Sequence, residues 1–143
     1  MLNLSRIKMI SDWELVTQES VNQYGALTGD EQWIHVNTER AKKEMPLTGT
    51  IAHGLFVISL FPKWLRGMSF PIVTSATKSL NYGFDKIRFI TPIPVGSRVR
   101  GHFKIKSTET NNNITKVIYA VTVEIENQQK PAIVAESIIQ YTS

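Results

Sequence analysis

The sequence predicts an α+β fold, a curved antiparallel sheet wrapped around one long buried helix. Three observations carry this. Residues 98–141 alternate apolar and polar side chains with a period of two, in three successive runs separated by short polar turns. Residues 51–65 are apolar on every face, and such a helix is buried on all sides. Helix signals fill the first half of the chain and strand signals the second. A sheet with one apolar face needs a cover, and residues 51–65 are the segment apolar enough to provide it.

The elements follow in order. Residues 13–16 read as a short strand. Thr17 then suits an N-cap, with Glu19 early in the first turn, where a carboxylate complements the helix dipole. Val21, Tyr24, Gly25 and Leu27 follow at helical spacing, and Gly29 ends that helix. Residues 30–36 have no assignable period. Asn37 can cap a short polar helix through Thr38, Glu39, Arg40 and Lys43, with Pro46 and Gly49 beyond its end. The buried helix comes next, with Pro62 able to remove a hydrogen bond or kink it, and runs to Gly67. After Phe70 the pattern changes. Two strands are expected at residues 79–82 and 86–90, then an irregular link at Pro92 and Pro94. In the three long strands the inward faces are Val99, Gly101, Phe103 and Ile105; Val117, Tyr119, Val121, Val123 and Ile125; and Ile133, Ala135, Ser137, Ile139 and Tyr141. Asn111 to Asn113 and residues 127–130 supply the turns.

Length and composition bound the function. At 143 residues the chain is expected to be one domain, residues 1–143, with 42% hydrophobic and 20% charged residues. No run approaches the roughly 20 apolar residues of a spanning helix, so no membrane partner is expected, and residues 1–11 carry no signal-peptide core. Cysteine is absent, which excludes disulfides, thiol catalysis and thiolate metal ligation and fits a reducing, cytoplasmic setting. The net charge of +4 is uneven, because residues 61–143 hold eleven bases and five acids. That excess suits a polyanion or a phosphorylated ligand, or is simply a solvated sheet face. The basic residues are dispersed and lack an aromatic stacking pattern, so no nucleic-acid partner is expected.

Two segments are able to carry chemistry. Asp30 and His35 lie five residues apart just past a helix end, where a carboxylate and an imidazole can converge on one water as a general acid/base pair. The plainer reading is that Asp30 caps a helix and His35 fills a half-buried spot. In Ala52-His53-Gly54, at the mouth of the buried helix, free amides favour an oxyanion and glycine permits close approach of a substrate. The plainer reading is that Gly54 allows tight packing and His53 is structural. No metal site is expected, since the three histidines at 35, 53 and 102 lack HExxH spacing. A GxSxG elbow is also absent, and Ser59 is expected to bond back to its own helix.

These segments occur in an order that resembles a known family. Residues 24–37 (YGALTGDEQWIHVN), Gly49-Thr50-Ile51-Ala52-His53-Gly54, and Asn81-Tyr82-Gly83 with Arg88-Phe89, Pro92, Pro94, Val95 and Gly96 resemble the MaoC-like dehydratases. The branch they look closest to is that of the nodulation protein N-like and (R)-specific enoyl-CoA hydratases, over residues 12–141. The resemblance implies the hot dog fold, a homodimer joined sheet edge to sheet edge, and reversible hydration of trans-2-enoyl thioesters to (R)-3-hydroxyacyl thioesters. It implies no cofactor, coenzyme A being part of the acyl-CoA substrate, with acyl carrier protein as another carrier. Asp30 and His35 match the family's catalytic pair, and the Gly54 N–H matches its thioester-carbonyl donor. Arg88, Arg98 and Arg100 are candidates for the coenzyme A phosphates. Two departures stand out. Gln32-Trp33 replaces the Asn-Pro that polyester-pathway hydratases usually carry, and Pro62 stands where they tend to have a serine. A thioesterase on the same fold, or a non-catalytic acyl-thioester binding protein, remains open on sequence grounds.

Overall fold

A computed structural model describes residues 6–68 and 75–143. The pattern change expected after Phe70 therefore begins outside the described residues. The elements are β1 (Lys8–Ile10), β2 (Glu14–Leu15), α1 (Gln18–Thr28), α2 (Trp33–Val36), α3 (Thr38–Glu44), α4 (Gly54–Ile58), α5 (Phe61–Arg66), β3 (Lys78–Phe89), β4 (Arg98–Asn111), β5 (Ile114–Ile125) and β6 (Ile133–Thr142). No helix among the described residues is long and apolar enough to cross a membrane.

The expected caps form. The Thr17 side chain accepts from the Ser20 N–H at 3.1 Å, and the Asn37 side chain accepts from the Arg40 N–H at 3.0 Å. Gly29 ends α1 with φ at +82°, in the left-handed region, and its N–H donates to the Gly25 carbonyl at 2.8 Å.

All strands pair antiparallel in one sheet of order β1-β4-β5-β6-β3, with β2 also on β4. β4, β5 and β6 form the expected meander, and every inward residue predicted for them is buried or, for Gly101, packed under Trp64. The strand β1 carries too few residues to show a period and was not foreseen. The two strands expected before the proline link are one strand, β3. Its register shifts between Asn81 and Gly83 and between Phe84 and Lys86, which is where the alternation breaks.

The buried helix departs from the expectation of one long element. It is two short helices, α4 and α5, joined through Ser59 and Leu60. Pro62 is the reason. It has no N–H to continue the ladder and its ring would meet the carbonyl four residues back. The backbone tightens instead, with the Leu60 N–H donating to Val57 at 3.1 Å, and α5 restarts with Pro62 in its first turn, where no N–H partner is needed. The pair still covers the sheet. Val57, Phe61, Trp64 and Leu65 join Val99, Phe103, Tyr119, Val121 and Ile133 in one core. Phe61 meets Phe103 edge-on at 5.7 Å, and Phe103 meets Tyr119 edge-on at 6.2 Å. Gly101 lies directly beneath Trp64, whose ring would come within 2.6 Å of a Cβ there.

Deep in this core the hydroxyls of Tyr119 and Tyr141 bond each other at 2.7 Å. Burial, then the hydrogen bond to Tyr141 and the charge on it, pushes the Tyr119 hydroxyl far above its ordinary value of 10.0. Burial also raises Tyr141, against an opposing contribution from the same hydrogen bond. The unfolded chain therefore releases these protons near pH 10 while the folded chain holds them, so stability present below pH 10 falls as pH rises past it. The urea midpoint of the wild type is expected to drop between pH 9 and pH 11 by more than that of a Tyr119→Phe/Tyr141→Phe double variant. Equal drops would exclude this pair as the cause.

Candidate active site

The site forms where three loops meet over the start of α4. The first leaves α1 through Gly29 and carries Asp30. It folds back over the helix because Gly25 has no side chain, and a Cβ there would press on the Asp30 carbonyl at 3.0 Å. The second is the single turn of α2, which carries His35. The third is the extended segment 50–53 that leads into α4.

Backbone hydrogen bonds clamp these loops together. The Ile51 N–H donates to the Ile34 carbonyl at 3.0 Å, Ala52 N–H to Ile93 at 2.8 Å, and Val95 N–H to Thr50 at 2.8 Å. Gln18 at the head of α1 adds a side-chain tie. Its amide donates to the His35 carbonyl at 2.8 Å, and its oxygen accepts from the Thr50 hydroxyl at 2.6 Å.

Two imidazoles are oriented by main-chain carbonyls. His35 Nδ1 lies 2.6 Å from the Ile51 oxygen, and His53 Nε2 lies 2.8 Å from the Asp30 oxygen. A carbonyl only accepts, so each of these nitrogens carries the proton and donates it. The Nε2 of His35 is then a free lone pair, without a partner among the described residues. The two rings stack at 3.8 Å with 28° between planes, and Tyr24 packs on His53 at 4.7 Å. Both histidines are buried, whereas Asp30 is exposed. A carboxylate oxygen of Asp30 and a ring nitrogen of each histidine lie within 4.8 Å of one another, a gap that one water can bridge. The structure thus brings Asp30 and His35 together, as their spacing suggested.

The same three residues are close enough to suggest a metal centre. Each histidine donates from one ring nitrogen to a carbonyl and keeps the other nitrogen for a ligand or a proton, so this donor set has the composition to hold an ion as well as to bridge a water.

Beside the pair is a cavity of about 230 Å³, walled by His35, Ile51, Gly54, Phe89, Thr91 and Ile133 among others. The Gly54 N–H opens α4 and has no acceptor among the described residues. The tight-packing reading of Gly54 holds, since its missing side chain lets the Phe89 ring sit where a Cβ would be, at 2.3 Å. Ser59 bonds back to the Phe56 carbonyl at 2.5 Å, as expected.

The arginines do not join the site. Arg98 pairs with Glu126 at 2.7 Å and Arg100 with Glu124 at 2.8 Å, on the sheet face turned away from the core, while Arg88 is exposed on β3. His102 also bonds Glu124, at 2.5 Å, and these two neighbours, Arg100 first, hold that carboxyl below its ordinary range. Sequence reasoning left the part played by His53 open and missed Gln18, Thr50 and Thr91. Their partners are distant in sequence, so no local spacing points to them.

Comparison with known proteins assigns the class. The model of the MaoC-like domain matches residues 8–128. The chain is 43% identical over 134 residues to 3-hydroxyacyl-thioester dehydratase Z of Mycobacterium tuberculosis, covering 93% of this chain and 87% of that protein. It is 42% identical over 137 residues to nodulation protein N of Rhizobium leguminosarum, covering 92% and 83%. The solved (R)-hydratase of A. caviae involved in PHA biosynthesis superposes with a TM-score of 0.73 over 96% of both chains, at 18% identity. That likeness establishes the hot dog fold. The chain belongs to the MaoC-like dehydratase family, whose enzymes are hydro-lyases.

The geometry assigns His53 the task of holding the Asp30 loop. Replacing it by leucine leaves a main-chain carbonyl without its donor and is expected to cost about 1–3 kcal/mol in urea unfolding. Glutamine, which restores an N–H at similar reach, is expected to cost less. Equal losses in the two variants would contradict the role.

Proposed function

We propose that the protein catalyses the reversible hydration of a trans-2-enoyl thioester to the (R)-3-hydroxyacyl thioester, with the carrier coenzyme A entering as part of the substrate. The observation that carries this is the Asp30 carboxylate and the His35 ring nitrogen within one water's reach, at the edge of a cavity that also holds the free Gly54 N–H. In this reading the acyl chain enters the cavity with its carbonyl oxygen on the Gly54 N–H. Asp30 and His35 hold a water over C3. His35 Nε2 is free to take a proton as the water oxygen bonds to C3. The electron pair of the double bond moves toward the thioester, and the negative charge growing on its oxygen is stabilised by the Gly54 amide. A proton from the pair then goes to C2. No metal or organic cofactor is required, because the thioester itself acidifies C2 and the protein need only place the water and the donor.

The reading is tested by following enoyl absorbance with crotonyl-CoA beside a parallel thiol assay. Loss of absorbance without thiol is expected. Asp30→Asn and His35→Ala are each expected to lower kcat/KM by about 10²–10⁴ while circular dichroism stays unchanged. Near-wild-type hydration in both variants would sink the assignment of the pair, and thiol release would make the protein a thioesterase.

The working form in this proposal is a homodimer joined through β3. Among the described residues this strand pairs only with β6, and no described strand covers its other edge. Phe84 and Phe89 face the core side, Phe84 at 6.4 Å from Phe61 and Phe89 against Gly54, yet they remain 39% and 55% exposed. An apolar layer that runs past the last strand suits a second copy of itself. Sedimentation equilibrium is expected to give twice the chain mass of 16.2 kDa, and a purely monomeric mass would overturn the dimer.

A further inference from the structure

One side chain joins the two segments that set the position of His35. Gln18 opens α1, 17 residues before His35 and 32 before Thr50 in the chain. Its amide nitrogen donates to the His35 carbonyl at 2.8 Å and to the Asn22 side-chain oxygen at 2.9 Å, and its oxygen accepts from the Thr50 hydroxyl at 2.6 Å. A carbonyl only accepts, so the nitrogen end of the amide must face His35. The donor answers a local need. α2 is a single turn without a side-chain cap, and a helix so short leaves its last carbonyls without internal partners.

The bonds close a ring. Gln18 holds the main chain of His35, and the His35 ring donates from Nδ1 to the Ile51 carbonyl at 2.6 Å. Ile51 follows Thr50, whose hydroxyl returns to Gln18. One side chain thus fixes both the backbone of the histidine and the segment whose carbonyl aims its ring. His35 and Thr50 are buried, where water competes little for these bonds. Gln18 is not among the residues that wall the cavity.

We infer that Gln18 is a positioning residue for the hydration step, holding His35 where its Nε2 meets the water without itself touching substrate. The inference rests on the proposed reading of His35 as the group that takes the proton. Placement is a large part of such a rate, since a shift of about 1 Å in a reacting group can cost about 10²-fold.

The test compares wild type with two variants. Gln18→Met keeps the reach of the side chain and removes all of its hydrogen bonds. Gln18→Glu keeps the acceptor for Thr50 and loses the donor to His35. Crotonyl-CoA hydration gives kcat and KM. Calorimetry with butyryl-CoA, which has no double bond to hydrate, gives the affinity and the fraction of folded sites. Both variants are expected to lower kcat per binding site by about 10- to 10²-fold, with KM and butyryl-CoA affinity within about twofold of wild type. In a His35→Ala background, Gln18→Met is expected to cost no further activity, since the group it positions is gone. Unchanged kcat in both variants overturns the inference. So does a further loss of about tenfold on top of His35→Ala, or a fall in affinity that matches the fall in kcat, because each marks a purely structural role. Wild-type protein that does not hydrate crotonyl-CoA, or His35→Ala protein that hydrates it as wild type does, removes the reading of His35 together with the inference.

Discussion

The inner face of the sheet must be covered, and two short helices do it. Phe61, Trp64 and Leu65 of α5 and Val57 of α4 are the side chains that close the apolar surface of β4, β5 and β6. Gly101 admits Trp64 to that surface at a distance no larger residue would allow. Everything catalytic in the proposal is downstream of this contact. The start of α4 is held where it is because the rest of α4 and α5 is buried, and the loops bearing Asp30 and His35 are in turn laced to residues 50–53 just before it.

The lacing is made almost entirely by the main chain. Carbonyls of residue 51 and residue 30 set the orientation of His35 and His53, and backbone pairs tie residues 51 and 52 to 34 and 93. Such bonds do not depend on the identity of the side chains at those positions. Imidazole orientation is thus a product of the fold, and the tautomer of His35 that leaves Nε2 free follows from one carbonyl. The arrangement leaves the Asp30 side chain uncommitted to structure, since the loop is held through its carbonyl oxygen.

Much of this was legible in the sequence where the signal is local. The period of two across residues 98–141 located three strands and their inward faces, and Thr17, Gly29 and Asn37 marked helix ends through bonds that span three or four residues. The Asp30 and His35 pair was visible because both residues lie on one short loop. What stayed hidden depends on distant partners. The stack of His53 on His35, the bridge from Gln18 to Thr50, and the wall formed by Thr91 each join segments that the fold alone brings together. The length of the buried helix was overread because its apolar composition continues through Ser59 and Leu60. Pro62, readable in the sequence as a point of kinking, divides it fully, through its missing N–H and the crowding of its ring on the preceding turn.

The two breaks in register along β3 bear on crowding inside a cell. A straight, foreign strand laid beside that edge would find its hydrogen-bond ladder interrupted at Asn81–Gly83 and again at Phe84–Lys86, with Asp85 and Lys86 placing charge at the second break. Uncontrolled sheet growth needs a flat and uniform template, and this edge is neither. The irregularity that hides β3 as a single strand in the sequence thus makes its edge a poor template for an unmatched strand, whereas a second copy carries the same breaks.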